Sequence, residues 1–168
     1  MIWYIARGAG VMALLMLTVS VVLGIATRQG KPLAGLPRFA IATVHRNASL
    51  IGLGLVVVHV LTLLLDSYAK LTPVDLVIPF VGAYRQLWLG LGTLAFDLLL
   101  LIMITSLNRT RLKLRTWRGI HWLSYAVWPI ALAHALGTGT DATQLWMGVI
   151  AVGCATAVAT TVTWRFVT

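Results

Sequence analysis

The sequence predicts an all-α integral membrane bundle of five transmembrane helices, with the N-terminus outside and the C-terminus cytoplasmic. Three observations carry that expectation. The 168-residue chain is 60% hydrophobic and 10% charged, with a mean hydropathy of +0.93, which excludes an ordinary soluble domain. Its charges cluster between apolar stretches of the roughly 20 residues needed to cross a ~30 Å hydrocarbon core. Thirteen Lys and Arg face four Asp and no Glu, a net charge of +9, and these cations divide unevenly between alternate loops. Such a basic balance suits nucleic acid or a membrane surface, and the apolar fraction selects the lipid bilayer, with no nucleic acid.

The first span covers about residues 4–27, between the charges Arg7 and Arg28. Its apolar run is too long for a secretory signal and no small-residue cleavage site follows a basic start, so it reads as a permanent span. The second covers 38–65, because Arg46 must lie near the membrane boundary and the helix therefore starts around Arg38 or Phe39. The connection from Ser67 to Gln86 contains Pro73, Pro79 and a short apolar run, and reads as an amphipathic segment on the outer surface. The third span, 86–108, carries Asp97 near its middle. An ionisable group at that depth is a functional candidate, here as a proton relay or cavity-lining group, set against a neutral hydrogen-bonded carboxyl. The fourth, 116–137, contains Pro129, and the fifth, 143–165, contains the single cysteine, Cys154, which reads as a small core residue. One cysteine excludes an internal disulfide, a Cys-rich iron–sulfur or zinc centre and covalent haem attachment. The chain is expected to be one domain, with no repeat, low-complexity tract or Gly-rich nucleotide loop.

Orientation follows from the loops. Arg28, Lys31, Arg38, Arg109, Arg111, Lys113, Arg115, Arg118 and Arg165 fall on one side, and Arg7, Lys70 and Arg85 on the other, so the positive-inside rule makes the first side cytoplasmic. Trp3, Tyr4, Tyr68, Tyr84, Trp88 and Trp146 then form an outer aromatic belt, with Trp117, Trp122 and Trp164 toward the inner interface.

All four histidines lie on two spans that run in the same direction: His45 and His59 on the second, His121 and His134 on the fourth. His59 precedes Asp66 by seven residues and His134 precedes Asp141 by seven, which sets the outer pair at equal depth. At 1.5 Å per residue the inner and outer levels are about 20–21 Å apart, too far for one metal. Fourteen steps leave His45 and His59 only ~40° out of phase, whereas thirteen leave His121 and His134 about 140° apart in a regular helix. A kink or local unwinding at Pro129 is expected to restore the phase.

Two imidazoles at one depth suit a planar porphyrin iron, which needs only two axial ligands. Zinc would require further Cys, Glu or Asp donors that are not in place. Gly52, midway between His45 and His59, is a candidate to admit a porphyrin edge, and Trp128 is a candidate to lie between two macrocycles. Gly54, Gly90 and Gly92 offer similar close approach, though small residues also serve plain helix packing. Arg46 and Arg118, with Arg38 and Arg115, are candidate propionate partners at the inner level, and Arg85 or Arg7 at the outer. Anionic-lipid binding competes for the inner cations. Tyr125 and Thr138, each one turn after a histidine, could touch a haem, and the polar stretch Gly137–Asp141 could dock an acceptor.

The His-x13-His and His-x12-His pairs, within VHRNASLIGLGLVVVHVLTLLLD and WRGIHWLSYAVWPIALAHALGTGTD, resemble the ferric-reductase-like transmembrane domain. That is the haem-carrying core of ferric reductases, NADPH oxidases and the membrane subunit of bacterial periplasmic methionine sulfoxide reductase systems. The resemblance runs from about Trp3 to Trp164 and implies two haem b groups, the inner iron on His45 and His121, the outer on His59 and His134. It also implies a plasma membrane location, bacterial by the last of those relatives. The usual core has six helices, the first of which this chain looks to lack, as it lacks the flavin and NADPH domain.

With both axial positions filled, electron transfer is expected rather than chemistry at iron. The donor is a cytoplasmic flavoprotein reductase or quinol, and the acceptor an external ferric ion, oxygen or a partner redox protein. Outward flow is aided by the membrane potential, by about 2.3 kcal/mol per electron per 100 mV. Two alternatives remain open at this point: a quinol-linked dihaem cytochrome b working in the opposite sense, and a haem-free membrane scaffold or transporter.

Overall fold

A computed structural model describes residues 1–29, 37–66 and 71–167. Lys31, Tyr68 and Lys70, which entered the charge and aromatic readings, lie outside the described residues, as does the side chain of Arg38. Among the described residues the chain is helical, without strands: α1 (Ile2–Gln29), α2 (Arg38–Leu65), α3 (Gln86–Leu107), α4 (Leu114–His121), α5 (Ser124–Thr138) and α6 (Leu145–Val167). Short 3-10 turns lie at Pro73–Leu76 and Arg109–Arg111. Four of these helices, α1, α2, α3 and α6, are long and apolar enough to cross a bilayer. Their exposed residues are largely aliphatic, for example Val58, Leu61, Ile104, Val149 and Val152, as a hydrocarbon surround requires.

The expected continuous fourth span is the departure. It is broken at Trp122–Leu123 into α4, of 8 residues, and α5, of 15. At the break, Leu123 N–H bonds Ile120 O at 3.0 Å, Tyr125 N–H bonds Trp122 O at 3.1 Å and Ala126 N–H bonds Leu123 O at 2.8 Å. These three-residue bonds wind the chain at 3.0 rather than 3.6 residues per turn, adding about 20° per residue. Over the roughly five residues involved, this supplies most of the ~140° that regular helix leaves between His121 and His134. This tightened stretch lies before Pro129, which itself sits inside α5.

The helices assemble as two pairs, α1 along α2 and α3 along α5, with α1 joining them through contacts to α5 and α6. Ala95, Leu99, Ile102, Met103 and Val127 form the buried core, flanked by Leu17, Leu53 and Val56 from the middles of α1 and α2. In the same layer the buried Trp128 indole N–H donates to Thr18 Oγ1 at 2.9 Å, and that hydroxyl donates to Leu14 O at 2.8 Å. Every polar atom of this cross-bundle tie is therefore satisfied inside the bundle.

Candidate functional site

Imidazoles of α2 and of the α4–α5 unit meet at two levels. His45 pairs with His121 and His59 with His134, in each case with ring centroids 6.3 Å apart and planes crossed at 78° and 80°. Because both pairs form in register, α2 and α4–α5 run the same way. Two imidazole–metal bonds of about 2.0 Å, plus roughly 1.15 Å from each donor nitrogen to its own ring centre, give a centroid separation of about 6.3 Å. The spacing therefore suits a metal held between two rings. Among the described residues no group of three or more His, Cys, Asp or Glu comes together.

The other ring nitrogen is committed at three of the four rings. His45 Nδ1 lies 2.8 Å from Ser20 O, His59 Nδ1 2.7 Å from Ala6 O, and His134 Nδ1 2.8 Å from Trp88 O. A carbonyl can only accept, so Nδ1 carries the proton and donates, which leaves the Nε2 lone pair for a ligand and fixes the ring's orientation.

Why these carbonyls are reachable follows from the sequence around them. Ala6, Ser20 and Trp88 each stand four residues before a glycine: Gly10, Gly24 and Gly92. In an α-helix the N–H of residue i+4 already bonds the carbonyl of residue i. A second donor can use the remaining lone pair only if the i+4 side chain does not cover it. A Cβ at Gly10 would stand 3.0 Å from the His59 ring, at Gly24 3.2 Å from that of His45, and at Gly92 2.5 Å from that of His134. Gly10 and Gly24, fourteen residues apart on α1, thus mirror the His45–His59 spacing on the antiparallel α2. His121 is the exception: its Nδ1 lies 3.4 Å from the Ser106 hydroxyl.

The surroundings of the two levels differ. Around His59 and His134 lies an open-mouthed, mostly apolar cavity. Leu14, Leu17, Val56 and Phe96 help line it, and Arg7, Tyr84, Thr140 and Asp141 stand at its polar end. Arg7 is ion-paired with Asp141, tying α1 to the stretch after α5. Beside His121 a second, more polar space is bounded by Arg28, Trp117, Arg118 and Trp122.

Of the residues chosen from sequence, the structure pairs His45 with His121 and His59 with His134, and puts Arg118 beside His121. Trp128 lies between the two levels. Gly52 instead meets α1: a Cβ there would lie 3.3 Å from Met16 Cβ, so its bare Cα serves the α1–α2 approach, and it is not among the cavity-lining residues. Arg46 is exposed and does not bound the inner space, a position that Arg28 takes. Arg85 is drawn to the end of α5, donating to Gly137 O at 2.8 Å. Asp97 is half-exposed on α3 and outside the cavity lining. Thr138 Oγ1 touches His134 Nδ1 at 3.3 Å, whereas the Tyr125 hydroxyl accepts from Arg165. Cys154 is buried. Gly10, Gly24, Arg28, Ser106 and Trp117 escaped the sequence reading of the site. For the two glycines a signal existed, namely their fourteen-residue spacing.

A family model described as the ferric reductase like transmembrane component matches residues 9–132, a stretch that includes His45, His59 and His121. No curated protein and no solved structure gives a significant match.

Proposed function

The chain belongs to the ferric reductase-like transmembrane family, an integral membrane domain with a redox, electron-transfer role, and on that premise we propose that it is a dihaem b-type cytochrome. One observation carries the proposal. Two imidazole pairs stand at the separation that suits an axially ligated metal, and three of the four Nδ1 atoms are already donating to backbone carbonyls. His45 and His121 hold the inner iron and His59 and His134 the outer. Haem held between these imidazoles would supply one-electron ferric–ferrous exchange.

The chain's own groups do the rest. Carbonyls of Ala6, Ser20 and Trp88 keep the imidazoles from rotating, and that preorganisation favours ligation of an iron over free ring rotation. The apolar lining of the outer cavity excludes water. Trp128, anchored on Thr18, and the Leu99–Val127 core hold the two levels at a fixed distance. Arg28 and Arg118 offer charge-assisted bonds to the acidic substituents of an inner porphyrin, and Arg7 is the cation nearest the outer one.

By the distribution of its cations the N-terminus is outside and the C-terminus cytoplasmic, in a bacterial plasma membrane. Electrons then run outward, from a cytoplasmic flavoprotein reductase or quinol to an external ferric ion, oxygen or redox protein, with the voltage in their favour. The test is the reduced-minus-oxidised spectrum of the purified chain together with its low-temperature EPR. A b-type signal with low-spin, bis-imidazole character is expected, and a haem-replete preparation that gives only high-spin iron overturns the proposal.

A further inference from the structure

His121, which lacks a carbonyl partner among the described residues, has an aromatic neighbour. The Trp117 indole, one turn before His121 on α4, stacks on the His121 imidazole with centroids 5.1 Å apart and planes at 25°. Its Nε1–H donates to Ser106 Oγ at 3.4 Å, the same hydroxyl that lies against His121 Nδ1. The Arg109 guanidinium sits over the indole, 4.4 Å from a ring centroid. Trp117 also bounds the polar space beside His121, together with Arg28 and Arg118. One indole therefore touches the proposed axial ligand while bordering a cationic opening at the end of the bundle. The other three imidazoles have Nδ1 on helix carbonyls, with the Ser20 and Thr138 hydroxyls also near those of His45 and His134.

We propose that Trp117 is the port through which electrons reach the inner site, with Ser106 as the positioning residue that holds the indole parallel to the imidazole. The assignment rests on the dihaem reading above. A reduced flavin or quinol, seated at the cationic opening, is oxidised by two electrons and releases its protons to the aqueous side. The electrons cross one at a time, and two ferric irons take one each to become ferrous. Trp117 serves only as the bridging orbital path and is neither oxidised nor protonated. Arg109 favours that role, because a cation over the ring makes removal of an electron from the indole harder.

The experiment compares the wild-type chain with Trp117→Phe and Trp117→Leu, each purified with haem and mixed rapidly with chemically reduced flavin mononucleotide. Haem content, low-spin EPR and the two reduction potentials are measured alongside the rate. The expected order of rate is Trp, then Phe, then Leu, with Leu slower by roughly tenfold, while haem content and the low-spin character of both EPR signals are retained. Equal rates in the haem-replete variants overturn the assignment alone, as does a rate loss that merely follows haem loss. If Leu releases haem, the Phe variant decides: full haem with a slower rate supports the port, and full haem with an unchanged rate removes it. A wild-type chain without haem overturns both this assignment and the dihaem reading.

Discussion

The outer and inner histidine pairs share one ring separation but not one construction. At the outer level both imidazoles are fixed by backbone, Ala6 and Trp88, and line a mostly apolar cavity that the ion-paired Arg7 and Asp141 also border. At the inner level one ring is fixed by backbone, Ser20, while the other leans on a hydroxyl and an indole among arginines. Backbone partners belong to regular helix and cannot change rotamer; a serine hydroxyl can. The outer pair is therefore the rigid, dry end of the bundle and the inner pair the adjustable, polar end. That division suits a domain taking electrons from a separate donor at one end and shielding the redox group at the other.

Removing a ring breaks the comparison most directly. His134→Ala should leave one haem per chain with the inner EPR signal intact, and His121→Ala should leave one with the outer signal intact, as read by haem assay and EPR. Loss of both haems from either variant would mean that the levels are not separate sites.

Adding a methyl group sharpens the comparison. The Cβ of Ala would stand 2.5 Å from the His134 ring at position 92, but 3.2 Å from the His45 ring at position 24. Gly92→Ala must displace its imidazole, an overpacking cost of about 1–3 kcal/mol, so outer haem affinity should fall roughly five- to 150-fold in a haem titration. Gly24→Ala needs a shift of only a few tenths of an ångström and should weaken the inner site far less. Equal losses at the two positions would contradict the proposed difference in rigidity.

A smaller effect is expected between the levels. Trp128→Phe removes the indole N–H that reaches Thr18, whose hydroxyl keeps its bond to Leu14 O. With no buried polar atom orphaned, the cost should be near ~1 kcal/mol plus the lost ring contacts, read as a lower Tm with both haems retained. The smallest effect belongs to Ser106→Ala, where a neutral 3.4 Å contact is lost. Haem content should be unchanged, and only the inner EPR signal should shift or broaden as the His121 ring gains freedom.

Much of this was legible in residue spacing. Four apolar spans, the shared direction of the two histidine-bearing elements and the depth-matched pairs follow from charges and from intervals of thirteen and fourteen residues. The break at Trp122–Leu123 was not legible, because apolar periodicity does not show where helical bonds change from four residues to three. Gly52 lies against Met16 of α1, a neighbour that a midpoint position in the sequence does not reveal. Arg46 is exposed, since adjacency to His45 along the chain puts the two side chains about 100° apart around a helix. Arg28, from the last turn of another helix, took that place. The paired role of a carbonyl and its i+4 glycine needed two helices in contact before it had any meaning.

The central claim is that two separate imidazole pairs each hold one iron porphyrin. It is tested most directly by the molar ratio of haem to polypeptide in the purified chain, produced with ample haem. The account predicts a ratio of two; a ratio that stays at zero or one under those conditions would contradict it.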